Sequence, residues 1–331
     1  MPKRVHVLRP LLFLAALALI VGLAACGSSD DSDKSGTASS GNYDITLIPG
    51  IRGDKYYVAL QCGAEAEARR LGVNLKMQGG AAFDPSSQTP VVQAVSATKP
   101  DGIVVAPVDS KAMFIPLQQA SDAGAKISLV DTTLDDDSFA VSTVRSDYYS
   151  GGVKAADIID ELTDGRGKAL QISIKPGLST LDAGKAGFEA GIERYPGIEY
   201  LGTEYANNDQ VKVASIVAAT LQTHPDLNAI FLPSGTDAEG VGAALKRAGK
   251  VGEVKVVAYD AYPAQVEQIK NGQLQALIVQ KPYEMGQMGV REVVNALKGK
   301  PTQKRITTDL LVATRENIDS PEVARYLYKS C

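Results

Sequence analysis

From residue 44 to residue 279 the sequence alternates short apolar, mostly β-branched runs with longer helix-forming stretches. No other feature constrains the fold as much. The runs that read as strands are 45–48, 73–77, 102–106, 126–130, 141–144, 169–174, 199–203, 229–232, 254–259 and 276–279, and the helical stretches include 55–71, 85–97, 148–162, 211–223, 237–248 and 283–297. Runs such as Ile103-Val104-Val105-Ala106 are apolar throughout, as suits strands covered on both faces of a parallel sheet. Strand–helix alternation of this kind predicts doubly wound α/β layers with right-handed crossovers. About 290 residues and ten strands exceed one comfortable core, so two parallel-sheet lobes are predicted. Ligands in open α/β sheets sit beyond the carboxyl ends of the strands. That directs attention to the loops after each strand, among them 49–55, 107–110, 131–133, 175–182, 206–209, 233–236, 260–263 and 280–282.

The N-terminus reads as an export signal. Lys3, Arg4 and Arg9 precede an apolar run over 11–22 that is short for a membrane span, and Leu23-Ala24-Ala25-Cys26 follows. The last four residues resemble a bacterial lipobox, which implies that Cys26 carries the lipid and begins the mature chain. Two or three acyl chains suffice for stable anchoring. Residues 26–42 are polar, with Ala38 as the one apolar side chain after Cys26. Such a segment cannot bury enough surface to fold and is predicted to be a disordered tether. The other cysteines, Cys62 and Cys331, would then lie in an oxidising compartment. An even pair there favours a disulfide, with two free thiols as the alternative.

Charge and histidine content narrow the function. The whole chain has 34 basic and 38 acidic residues; without the leader the balance is 31 to 38, a formal charge of −7. An acidic body is a poor binder of nucleic acid. The only histidines are His6, in the leader, and His224, which leaves little room for imidazole acid–base chemistry or a His-rich metal site. Gly177 and Gly184-Lys185 do not make a phosphate-binding loop, and Gly240-Val241-Gly242 lies within a predicted helix rather than after a strand. Cys-x-x-Cys, His-Glu-x-x-His and Gly-x-Ser-x-Gly are absent from the sequence. Arg52-Gly53-Asp54 is read as a chance tripeptide. No catalytic residue, metal or cofactor is expected.

With these features in place, the chain resembles the type I periplasmic substrate-binding proteins, in the branch of ribose-like sugar-binding lipoproteins of ABC importers. The resemblance rests on a series of segments in order. These are Gly53-Asp54-Lys55-Tyr56-Tyr57, Cys62-Gly63-Ala64, Arg69-Arg70 before Leu71-Gly72-Val73, Lys99-Pro100-Asp101-Gly102, Ala106-Pro107-Val108-Asp109, Val130-Asp131-Thr132, Ser146-Asp147 through Gly151-Gly152, Gly187-Phe188, His224-Pro225-Asp226, Ala258-Tyr259-Asp260 and Gln280-Lys281-Pro282. It implies one lobe of 43–146 plus 281–309, and a second of 147–280 plus 310–331, joined by a three-segment hinge. It also implies a monomer that captures a neutral sugar or sugar alcohol by closing and delivers it to a membrane permease. In this branch Tyr56 and Tyr57 match rings that sandwich the sugar, and Asp131 and Asp260 match carboxylates that accept its hydroxyls, at roughly 1.5–3 kcal/mol per charge-assisted bond. Asp54, Thr132, Asp182, Asn208, Ser234 and Gln280 complete the implied ligand set. Thr132 and Gly184 stand where ribose-type members often carry arginines. That leaves Asp54, Asp131, Asp147, Asp182 and Asp260 against the few nearby cations Arg52, Lys55 and Lys185, a balance that disfavours an anionic ligand. A sensory subunit presenting ligand to a membrane receptor is the alternative function. A carboxylate-based glycoside-acting enzyme is a more distant one.

Overall fold

The computed structural model describes residues 42–329 and Cys331. The leader, the lipobox with Cys26 and the tether up to residue 41 lie outside the described residues. The first lobe is built from β1 (Asp44–Ile48), α1 (Lys55–Leu71), β2 (Asn74–Met77), α2 (Pro85–Ala97), β3 (Gly102–Val105), α3 (Phe114–Asp122), β4 (Lys126–Val130) and β5 (Ser142–Ser146). The second repeats the pattern with α4 (Tyr148–Thr163), β6 (Gly167–Ser173), α5 (Ser179–Ile192), β7 (Ile198–Tyr205), α6 (Gln210–Thr223), β8 (Leu227–Leu232), α7 (Ala238–Ala248), β9 (Lys255–Tyr259), α8 (Pro263–Lys270) and β10 (Ala276–Val279). The chain then returns through α9 (Pro282–Leu297) and β11 (Arg305–Thr308), and ends with β12 (Leu311–Ala313) and α10 (Pro321–Ala324).

The two sheets have strand orders β11-β5-β4-β3-β1-β2 and β12-β10-β9-β8-β6-β7, the same winding in each lobe. All the pairings between these strands are parallel except β10 with β12. The two parallel-sheet lobes are therefore present, with one antiparallel strand at the edge of the second. There the chain enters the second sheet from β11 of the first by the two-residue link 309–310. Three crossings join the sheets, at 147, at 280–281 and at 309–310.

Burial follows strand periodicity. In β3, Ile103 and Val105 pack with Val92, Val95 and Leu117 of α2 and α3, whereas Val104 faces Leu60 and Val290 of α1 and α9. In β8, Phe231 packs with Ile159 and Phe188 of α4 and α5, and Ile230 and Leu232 face Val213 and Leu245 on the other side. Alternate side chains of one strand thus serve two helix layers, which is why these runs are apolar throughout. The sequence-based loop 175–182 is shorter in the structure, because Ser179–Asp182 already form the first turn of α5. Glycines 184, 187 and 191 hide that helix from a propensity argument. They are needed for packing: a Cβ on Gly187 would stand 2.0 Å from the Tyr149 carbonyl oxygen of α4. Among the described residues no helix is long and apolar enough to cross a membrane.

Candidate functional site

The carboxyl ends of both sets of strands converge on one cleft between the lobes. Two aspartates anchor it. Asp131 directly follows β4 and Asp260 directly follows β9, equivalent strands of the two sheets. Both have left-handed backbones, with φ of 65° and 77°. Each donates its N–H to the next strand over a distance of 2.9 Å, Asp131 to the Val144 carbonyl and Asp260 to that of Ile278. A non-glycine residue pays roughly 1–3 kcal/mol for such a conformation, and aspartate tolerates it better than most. Cost of this kind concentrates at ligand clamps.

The cleft holds about 520 Å³ of space between atoms, part of it open to solvent. Asp131 accepts the Tyr57 hydroxyl at 2.8 Å and the Tyr56 hydroxyl at 3.1 Å. Asp260 accepts the Gly235 N–H at 2.9 Å, the Gln280 amide at 2.8 Å and the Tyr328 hydroxyl at 2.9 Å. Asp54 caps α1 by accepting the N–H groups of Tyr56 and Tyr57. It also receives the hydroxyl of Tyr262 from the opposite lobe at 2.9 Å. Ser179 and Thr133 make a further bond between lobes, at 2.9 Å, so the arrangement is a closed one.

Burial raises all three carboxylates above the usual range. Asp131 is pushed up to about 7, by burial first; the Tyr57 hydroxyl counters this and the charge on Asp260 adds to it. Asp260 is pushed up to about 6, again by burial first, with Gly235, Gln280 and Tyr328 pulling it down. Asp54 is raised by burial against the pull of Tyr262. Gln280 also donates to the Tyr148 hydroxyl at 2.6 Å, which leaves the Tyr148 proton free to be donated. The Gln280 carbonyl oxygen is buried and has no partner among the described residues. Thr132 donates its hydroxyl to the Pro107 carbonyl at 2.7 Å and keeps acceptor capacity. Together these groups present acceptors and a few donors against aromatic walls, the chemistry that suits a polyhydroxylated ligand.

Of the sequence-based set, Asp54, Tyr56, Tyr57, Asp131, Thr132, Asn208, Ser234, Asp260 and Gln280 line the cleft. Asp182 does not, and is corrected. It lies exposed on the first turn of α5, where its carboxylate accepts the Gly177 N–H at 2.9 Å and closes the loop. Thr180 and Leu181 line the cleft in its place. Asp147 is likewise a helix cap, bound to the Ser150 N–H. The rings of Tyr56 and Tyr57 meet edge to face at 5.2 Å, so together they form one wall rather than the two faces of a sandwich. Phe83, stacked on Tyr57, extends that wall, and Tyr148 and Tyr262 supply apolar faces from beyond the first crossing. Phe83 lies outside the quoted segments and loops, whereas Tyr148 falls within 146–152 and Tyr262 within the loop 260–263; none of the three was assigned to the ligand, and tertiary contact brings them to the cleft. Among the residues lining the cleft none is Lys, Arg or His. Arg52 and Lys55 lie exposed and Lys185 pairs with Glu189, all three outside the lining.

The sequence model of the family described as "Periplasmic binding protein domain" matches residues 45–301. The chain belongs to the periplasmic binding protein family. Its relatives include the ribose import binding protein of Escherichia coli, 27% identical over 92% of this chain and 98% of the relative, and the D-allose-binding periplasmic protein of the same organism, 28% identical over 73% and 81%. Among solved structures, an ABC transporter solute-binding protein from Agrobacterium vitis bound with α-D-tagatopyranose is 35% identical, with a TM-score of 0.85 over 87% of this chain and 99% of that one. A carbohydrate transporter solute-binding protein from Agrobacterium radiobacter in complex with D-arabinose is 25% identical, with a TM-score of 0.82 over 87% and 99%. Periplasmic binding proteins of this kind are solute-binding components of transport systems, and the two-lobed α/β fold is theirs. A Cβ on Gly184 would make only ordinary contact, 3.5 Å from the Tyr148 ring, so packing alone does not demand glycine there.

Proposed function

We propose that this periplasmic binding protein is the extracytoplasmic receptor of an ABC importer for a neutral monosaccharide or sugar alcohol, and that the two lobes close on the ligand and present it to a membrane permease. The observation that carries this reading is the lining itself: the buried carboxylates of Asp131 and Asp260, the half-buried Asp54, four tyrosines and a glutamine, with no basic side chain among the lining residues. A carboxylate- or phosphate-bearing ligand would meet like charge in a partly dry cleft. Sugar hydroxyls offer the donors those carboxylates can accept. The sugars bound by the relatives support the same class. Ligand contacts both lobes only in the closed form, so binding shifts the population toward closure.

A thermal-shift panel of D-tagatose, D-ribose, D-allose, D-arabinose, hexitols and their acid or phosphate derivatives tests the reading. One neutral compound is expected to raise the melting temperature, with about 2.7 kcal/mol of added stability at a hundred times its dissociation constant. A response confined to the acidic derivatives would overturn it. We also propose that Cys26 carries the lipid and holds the protein at the outer face of the membrane. Cys26→Ser is then expected to move the protein from the membrane fraction to the soluble one in the native host, and retention at the membrane would reject the anchor.

A further inference from the structure

We propose that Tyr328 is a positioning residue of the ligand site, delivered by the C-terminal segment, and that the Cys62–Cys331 bond keeps it in place. The inference rests on the sugar-receptor reading of the cleft. Among the described residues after β12 there is one four-residue helix, Pro321–Ala324, too short to be stable by itself. Its placement therefore depends on its contacts, which fall on both lobes. Tyr328 is buried. Its N–H donates to the Ala261 carbonyl at 3.1 Å, and its hydroxyl donates to Asp260 Oδ1 at 2.9 Å. Its ring lies edge-on to Tyr56 at 5.7 Å and to Tyr262 at 5.5 Å. Those two tyrosines donate to Asp131 and Asp54, respectively. One side chain outside the cleft lining thus touches the support of all three cleft carboxylates.

The segment is fixed at both ends of this contact. Before it, Tyr326 donates to Glu284 at 3.0 Å and covers Lys281, whose ammonium lies 4.9 Å from the ring and 3.2 Å from Asp309. Lys281 and Asp309 belong to two of the three interlobe crossings. After it, Cys331 is joined to Cys62 of α1, 269 positions earlier, with alpha-carbons 5.4 Å apart. Asp260 and Ala261 belong to the second lobe and Cys62 to the first, so the tail straps the lobes together along the edge of the site. Without the bond, the ordering of the last residues must be borne by non-covalent contacts alone.

The test uses Tyr328→Phe, the paired substitution Cys62→Ser/Cys331→Ser, and their combination. Calorimetric titrations with D-tagatose, D-ribose, D-allose and D-arabinose give affinities. Carbon-13 NMR of aspartate-labelled, ligand-free protein gives the titration of Asp260, identified by Asp260→Asn. Each variant is expected to weaken the sugar that binds the wild type by about tenfold, since Gly235 and Gln280 still hold Asp260. The combination is expected to be no weaker than the worse of the two, because both remove one contact. The Asp260 titration is expected to move upward in both variants. Unchanged affinity and titration in Tyr328→Phe would overturn the role of Tyr328, and multiplying effects in the combination would overturn that of the disulfide. Failure of the wild type to bind any of the four sugars would count against the sugar reading instead, while the ligand-free titration would still decide whether Tyr328 holds Asp260.

Discussion

Asp131→Asn is expected to weaken sugar binding by at least about a hundredfold, the equivalent of two lost charge-assisted hydrogen bonds at the low end of their usual strength. Asparagine keeps the shape and tolerates the left-handed backbone, so the loss isolates the charge. Its amide also answers the Tyr56 and Tyr57 hydroxyls poorly, since two donors now compete for one carbonyl oxygen. Asp260→Asn is expected to have an effect of similar size, because Gly235, Gln280 and Tyr328 all direct donors at this carboxylate. Isothermal titration with the sugar chosen by the panel measures both. Thermal unfolding without ligand serves as the control. At pH 7.5 the relief of an ionisation that burial opposes and the poorer pairing of the surrounding donors act in opposite directions on the melting temperature, so affinity is compared at a temperature where each variant is fully folded. A change in affinity below about threefold would show that the carboxylates do not bear on the ligand.

The architecture was legible because sheets covered on both faces require uninterrupted apolar runs, and those runs survive in β3, β8 and β10. The antiparallel β12 was not, since three residues, Leu311–Ala313, make too short a signal. Asp131 and Asp260 were assigned through the resemblance, and each also directly follows a readable strand, which brings it to the cleft lining. Asp182 shows the limit of that logic. A polar residue near a strand end is as often a loop-closing group as a ligand contact, and only the rotation of α5 decides between them. Tyr328 shows the opposite limit. It lies 68 positions beyond Asp260, in a segment without periodicity, and no local pattern ties it to the cleft.

Affinity is expected to rise with pH between about 5.5 and 7.5, by on the order of a hundredfold in total. In the closed arrangement without ligand, burial pushes Asp131 up to about 7 and Asp260 up to about 6. Sugar hydroxyls that donate to these groups favour the ionised forms and lower both values in the complex. Below the free values, binding must therefore expel protons; above them it need not, and the dependence levels off. Stability of the ligand-free protein moves the other way. A carboxyl with a folded pKa raised above its unfolded value keeps its proton in the folded state after the unfolded chain has lost it. Stability then falls as pH rises from about 4 toward 7. Asp237 adds to this fall: burial alone pushes it up to about 7, and neither oxygen has a partner among the described residues. It lies outside the cleft lining, so it alters stability without altering affinity. Titration calorimetry at pH 5.5, 6.5 and 7.5, in buffers of different ionisation enthalpy, counts the protons. Net release on binding near pH 6.5 is the expected result. Tighter binding on acidification would mean that protonated carboxyls donate to the ligand, reversing the roles assigned to Asp131 and Asp260.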